Sequence, residues 1–213
     1  MPMRKVWDHA INVKEGFVPR KGKVYPLLRE EREEVQEFIK EQLRKEYIRL
    51  LKSPQIAPVF FVGKKDGKKW MVQDYRYLNE WTIKNNYPLL LISDIVENIG
   101  TKKVFTKMDL RWGYNNVWIK EGDEWKAVFT TPERSFEPTV MFFGLTNSLV
   151  TFQAMMNELL RDLVNMEKVV VFIDDIIINN RNRGRESVKI VDSGLHFYFL
   201  FSLYFIFLFF FYF

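Results

Sequence analysis

The sequence contains no cysteine. That absence excludes a disulfide framework and any thiolate-bound metal, so the fold must rest on packing, as expected of an intracellular protein of the cytoplasm or nucleus. Histidine is almost as scarce. His9 near the start and His196 near the end are too few for a zinc cluster, and such lone histidines are expected at the surface. Any bound metal must then take oxygen ligands, which points to a hard cation such as Mg²⁺. Neither sign of charge dominates: 32 Lys and Arg against 27 Asp and Glu leave a net charge of +5, so a polyanionic partner is permitted but not demanded. The opening MPMRKVWDHAINVKEGFVPRKGK lacks the apolar core of a secretory signal. A chain of 213 residues is long enough for one or two hydrophobic cores.

What is present divides the chain into three stretches. Residues 1–26 carry scattered Gly and Pro without a period and read as an extended lead-in rather than a packed element. Residues 27–178 carry the periodic patterns. From Arg29 to Ile48, Val35, Phe38, Ile39 and Leu43 recur at helical spacing among Glu, Arg and Lys, which predicts an amphipathic helix. The stretch SPQIAPVFFVGKKDGKKWMVQDYRYLN predicts two strands joined at Asp66-Gly67, a strong hairpin signal. Lys64, Lys65, Lys68 and Lys69 crowd that turn; solubility is their simpler reading, and a basic tip that closes over phosphates is the functional one. A strand ends near Asp109, EWKAVFTT reads as another, and Phe152, Met155, Met156, Leu159, Leu160 and Leu163 mark the core face of a helix from about Ser148. Strands and helices mix without regular βαβ alternation, which predicts an α+β fold with a sheet covered by helices on one face.

The last strand pair, VVVFIDDIII, sets Asp174 and Asp175 between two apolar blocks. Ionised carboxylates in such a setting cost several kcal/mol each, by rough reckoning, unless their charge is compensated. Read alone, the stretch leaves two interpretations open: a solvated turn without chemistry, or part of a cation site. If the strand ending at Asp109 neighbours this hairpin, three carboxylates share one place and repel unless cations bridge them. Two divalent ions there would suit in-line displacement at phosphorus, the chemistry of polymerases and nucleases.

Six collinear stretches carry a resemblance: SPQIAPVFFVGKKDGKKWMVQDYRYLN, YPLLLISDIVENI, VFTKMDLRWGYNNVWI, KAVFTT, FFGLTNSLVTFQAMMN and VVVFIDDIII. In order and spacing, residues 5–178 closely resemble the reverse transcriptases of gypsy-type long-terminal-repeat retrotransposons. The resemblance implies a right-hand polymerase with fingers and an antiparallel palm sheet, copying an RNA or DNA template-primer with deoxynucleoside triphosphates. It implies Asp109, Asp174 and Asp175 as the catalytic and metal-holding acids, helped by the carbonyl of Leu110, for two Mg²⁺ ions that Mn²⁺ could replace. Lys64 and Lys65 would reach the triphosphate, the backbone amides of Trp112 and Gly113 would cradle it, Tyr114 would screen the sugar 2′ carbon, and Arg76 would lie near the template strand.

The pattern is broken at four positions. Trp70 stands where such enzymes carry an arginine, which removes a fixed cation and its fork of donors. Phe142 and Leu149 replace prolines, and Phe172 replaces the tyrosine of Tyr-x-Asp-Asp. Residues 179–213 match neither the thumb nor the connection and ribonuclease H segments expected next, so weak or absent synthesis is expected of this chain. The run LHFYFLFSLYFIFLFFFYF, residues 195–213, is uncharged and about as long as a bilayer-spanning helix. Its aromatic content favours translated T-rich non-coding sequence over the rival reading, a membrane anchor behind Arg181, Arg183, Arg185 and Lys189. A non-catalytic nucleic-acid-binding remnant is the alternative to an enzyme.

Overall fold

The computed structural model describes residues 4, 7–63, 69–88, 93, 95, 97, 104–110, 113–180 and 197–198. The side chains at positions 104, 105, 109, 179, 180, 197 and 198 lie outside the description, as do Lys64, Lys65 and Trp112 and the Asp66-Gly67 turn. Two compact units are formed: Met1–Tyr87 with Tyr114–Phe152, and Pro88–Gly113 with Gln153–Phe213.

The first unit holds helix α1 (Arg29–Arg44), strands β1 (Ile48–Leu50), β2 (Ala57–Gly63) and β3 (Lys69–Gln73), and helix α2 (Arg76–Trp81). Strands β5 (Phe129–Thr130) and β6 (Ser135–Pro138), which follow β4 (Val104–Leu110) of the second unit in the chain, complete a five-stranded sheet of order β1-β6-β5-β2-β3. The β2–β3 pair is antiparallel, with Gly63 opposite Lys69; the two strands are the ones the sequence predicts, and the Asp66-Gly67 turn lies outside the described residues. The pair β2–β5 is parallel.

Helix α1 is shorter than its apolar period suggests. Val35 and Ile39 are buried, whereas Leu43 is exposed and the helix stops at Arg44 rather than running to Ile48. The stop has a local cause: Glu46 adopts φ +58°, its N–H donates to Leu43 O, and the Tyr47 N–H donates to Gln42 O at 3.0 Å, closing a Schellman cap. At the other end the Glu31 carboxylate accepts from the Leu28 N–H at 2.9 Å and binds Lys69 Nζ at 2.6 Å, tying α1 to the hairpin. The Lys69 hydrogen bond, more than any other influence, lowers the Glu31 pKa.

The core joins Ile11, Val35, Ile39, Val59, Leu78, Phe129 and Phe136. Each such side chain contributes roughly 1.5–3 kcal/mol by leaving water. Phe142, one of the proline replacements, is absorbed here with its ring 6.2 Å from those of Phe38 and Phe129. The Tyr75 hydroxyl donates to Ala127 O at 2.8 Å, and burial holds this phenol well above its ordinary pKa.

Two expectations fail at the chain's beginning. Among its described residues the lead-in has no helix or strand, but it is packed: Ile11 lies in the core, its N–H donates to Asp123 Oδ2 at 2.8 Å, and its carbonyl accepts from Lys126 Nζ at 2.8 Å. The Gly22 N–H donates to Ile56 O at 2.8 Å, so close to β2 that a Cβ at Gly22 would stand 2.5 Å from Pro58 Cδ. His9 is not at the surface either. It is fully buried, with Nδ1 3.0 Å from Thr151 Oγ1, and desolvation pushes its pKa down to about 4 despite the opposing charge of Asp123.

EWKAVFTT is only partly a strand. Glu124–Ala127 form a 3₁₀ turn before the two residues of β5, because Glu124 accepts the Gly122 N–H at 2.7 Å and folds the chain back on itself.

The second unit contains β4 (Val104–Leu110), helix α4 (Arg161–Asn165), and strands β7 (Val169–Phe172), β8 (Asp175–Asn180) and β9 (Phe197–Tyr198). These four strands make a sheet of order β7-β8-β4-β9, every pair antiparallel. Successive residues of a strand face opposite sides, so the burial of Val169, Val170 and Val171 means that β7 is covered on both faces. Helix α3 (Ser148–Leu159) carries the unit boundary between Phe152 and Gln153. Phe152, Met155 and Met156 are buried as expected, but Leu159 is half exposed, and the helical run breaks at Leu160 before α4 begins.

Candidate active site

The acidic motif occupies the β7–β8 hairpin. Phe172 pairs with Asp175, leaving Ile173 and Asp174 as the two turn residues. Of these only Ile173 has positive φ, at +56°, the pattern of a type II′ turn, whose first central position favours glycine. A β-branched residue there is a steric outlier, held by its surroundings at roughly 1–3 kcal/mol. Gln153 is what holds it. This fully buried side chain accepts the Ile173 N–H at 2.6 Å and donates to Val171 O at 3.1 Å, with a further bond to Asn157 Oδ1 at 2.8 Å.

Strand β4 lies directly beside β8. Asp109 stands opposite Asp175 in the ladder, and the Leu110 N–H donates to Asp174 O at 3.0 Å. Three sequence-derived acids are thereby brought to one end of one strand pair, positions 109 and 175 on the same face of the sheet. Asp175 is partly buried and its Oδ2 lies 2.9 Å from Lys107 Nζ. Among the described side chains no group of three acids or histidines forms a metal site; the Asp109 side chain lies outside them. The donor types present, carboxylates and backbone carbonyls, suit a hard divalent cation.

The other sequence-derived residues that are described fall into two places. Gly113 is buried in the second unit and opens a 3₁₀ turn, Gly113–Asn116. In the first unit, Tyr114 is buried with its ring stacked on Phe152 at 4.9 Å and tilted against Phe143 at 4.5 Å. Phe143 in turn meets Trp70 edge-on at 6.1 Å, and both are exposed. Arg76 is exposed but engaged: Nε donates to Asp74 Oδ1 at 2.8 Å and Nη2 to Asp74 Oδ2 at 2.7 Å, while the Tyr25 hydroxyl donates to the same carboxylate at 3.1 Å. That fork lowers the Asp74 pKa and raises that of Arg76. A cavity of about 490 Å³ opens beside it, lined by Tyr25, Phe60, Phe61 and Glu31 among others.

Residues 62–200 match the family "Reverse transcriptase (RNA-dependent DNA polymerase)". The chain belongs to the reverse transcriptase family. The Tf2-3 and Tf2-7 transposon polyproteins of Schizosaccharomyces pombe are each 35% identical to it over 167 residues, covering 78% of this chain and 12% of the polyprotein. Among solved structures, native prototype foamy virus protease-reverse transcriptase superposes with TM-score 0.71 at 28% identity, covering 84% of this chain and 24% of that one. The foamy viral enzyme in complex with RNA/DNA hybrid gives TM-score 0.73 at 25% identity over the same shares. The fold is thus the fingers and palm of a reverse transcriptase, as the sequence implied.

The reverse transcriptase chain spans 12% of the length of the curated relatives it matches. The family match runs to residue 200, beyond Ile178 where the motif resemblance stops. Among the described residues no helix is long and apolar enough to cross a membrane; residues 195–213 lie outside them apart from the backbone of 197–198.

Sequence reasoning missed three residues at these places. Gln153 is an amide inside an apolar helical run, Lys107 a cation inside an apolar strand, and Phe143 the exposed member of a Phe pair. Each is a polar residue in an apolar setting or the reverse, which is the signal that singles them out.

Proposed function

We propose that this chain is the fingers-palm portion of an RNA-directed DNA polymerase from a retrotransposon, which extends a primer on an RNA or DNA template using deoxynucleoside triphosphates. The observation that supports it most directly is the ladder register that sets Asp109 against Asp175 while Leu110 N–H binds Asp174 O. The site suits two Mg²⁺ ions held by Asp109, Asp174, Asp175 and the Leu110 carbonyl; bound there, they would activate the primer hydroxyl and neutralise the triphosphate.

The protein's own task is placement. Gln153 fixes the turn that presents Asp174, so the acids need no reorganisation when charge develops. Lys64 and Lys65 would bind the triphosphate from the hairpin tip, the amides of Trp112 and Gly113 would cradle it, and the buried Tyr114 ring would exclude a sugar 2′-hydroxyl by bulk. Arg76, already held by Asp74, would offer its remaining face to a template phosphate.

The test is Mg²⁺-dependent extension of a labelled primer-template by the full chain, expected to be weak because the segments after the palm match no thumb, and abolished by Asp174→Asn. Binding of primer-template with no extension under any divalent ion would instead favour a nucleic-acid-binding remnant without turnover.

A further inference from the structure

Lys107 is a cation built into the strand that carries Asp109. It lies two positions before that acid, and so at the same face of β4, while Asp109 stands across the ladder from Asp175. Lys107 itself pairs with Ile177, one diagonal step from Asp175, and its Nζ crosses that diagonal to reach Asp175 Oδ2 at 2.9 Å. Both side chains are partly shielded, at 32% and 19% exposure, so solvent screens this pair less than one at the open surface.

The position of this ammonium has a consequence for metal binding. Adjacent carboxylates at one end of a strand pair repel, and something must offset that repulsion whenever no cation is bound. We propose that Lys107 is the resident counter-cation of the acidic cluster: it neutralises Asp175 in the metal-free protein and gives way when divalent ions enter, thereby setting how much metal the site requires. This rests on the two-metal reading of Asp109, Asp174 and Asp175. Lys107 acts through Asp175 and is a positioning residue, with no contact to substrate required.

The role has two opposed signatures. Removing the ammonium leaves Asp175 without its partner, which destabilises the metal-free protein; the same removal takes a positive charge away from an incoming cation, which tightens metal binding by on the order of tenfold. A purely structural lysine would produce the first effect without the second.

The experiment uses the full chain and Mn²⁺, whose free concentration is read by electron paramagnetic resonance, alongside thermal unfolding in EDTA. Wild type, Lys107→Met, Lys107→Gln, Lys107→Arg and Asp174→Asn are compared. Lys107→Met and Lys107→Gln should melt lower in EDTA yet bind Mn²⁺ more tightly, Lys107→Arg should match wild type in both, and Asp174→Asn should weaken Mn²⁺ binding. If Lys107→Met or, should that variant misfold, Lys107→Gln binds Mn²⁺ with unchanged or lower affinity while Asp174→Asn still weakens it, the counter-cation role is wrong and the metal site stands. If wild type binds no Mn²⁺, or Asp174→Asn binds it unaltered, the metal reading itself falls, and the proposal with it.

Discussion

The Ile173 N–H donates to Gln153 Oε1 at 2.6 Å. This one hydrogen bond joins the residue with the least favourable backbone in the acidic hairpin, φ +56° on a β-branched side chain, to a fully buried amide on a neighbouring helix. Strain of this kind persists only where surrounding contacts over-determine it, and the second Gln153 bond, to Val171 O, supplies that redundancy.

Gln153→Leu therefore keeps the volume and loses the function of the side chain. The Ile173 N–H and the Val171 carbonyl would both be left unsatisfied, at roughly 1–3 kcal/mol for each buried group. The expected result is a loss of roughly 2–6 kcal/mol in urea unfolding, by the same reckoning, with loss of primer extension at temperatures where the variant is still folded. Unfolding at the wild-type midpoint would show that the turn stands without the amide.

Tyr114 offers a separation of roles. Its ring is buried between Phe152 and Phe143, so Tyr114→Ala should cost roughly 3–5 kcal/mol as a cavity-forming change, whatever the residue does in catalysis. Tyr114→Phe keeps the ring and should preserve selectivity. Tyr114→Val, if it screens the sugar as proposed, should admit ribonucleoside triphosphates in primer extension. Selectivity unchanged in Tyr114→Val would assign the ring to packing alone.

The features legible in the sequence are those with a local cause. The apolar runs on either side of residues 64–68 announce β2 and β3, and β-branched blocks around Asp174-Asp175 announce β7–β8, because strand period is a short-range property. The pairing of β4 with β8 joins residues far apart in the chain, and no period predicts its register; only the expectation that Asp109, Asp174 and Asp175 share a cation site points to it. The packing of the lead-in is invisible in the sequence for a related reason. Ile11 and Gly22 dock through backbone hydrogen bonds from irregular chain, which leave no periodic trace, and His9 was buried along with them. The early end of α1 was hidden because Glu46 takes the left-handed position that a glycine would have marked.

Contacts to phosphates predict a salt dependence. Binding of a primer-template should weaken with rising salt, each phosphate contact adding about 0.9 to the slope for a duplex. Arg76→Gln should reduce that slope by about one contact if the face of Arg76 not engaged with Asp74 reaches a phosphate. Lys64→Ala with Lys65→Ala should lower triphosphate affinity while leaving the unfolding midpoint unchanged, as expected for residues at a hairpin tip. An unchanged affinity returns these lysines to a role in solubility.

His9 predicts a pH dependence of stability. Its folded pKa, about 4, lies below the ordinary value of 6.5 because burial disfavours the imidazolium more than Asp123 favours it. Between those two values the unfolded chain binds a proton that the folded chain does not, so stability from this residue is complete above 6.5 and falls as pH drops towards 4. The loss amounts to roughly 3 kcal/mol across the window, and levels off once the folded form is protonated as well. The structural counterpart is that Nδ1 has Thr151 Oγ1 beside it while Nε2 is buried with no partner among the described residues, so a second proton there would have no acceptor. Urea midpoints measured every half pH unit should therefore decline more steeply in wild type than in His9→Gln, which cannot titrate. Parallel curves for the two proteins would mean that His9 keeps its ordinary pKa in the folded state and that water reaches it.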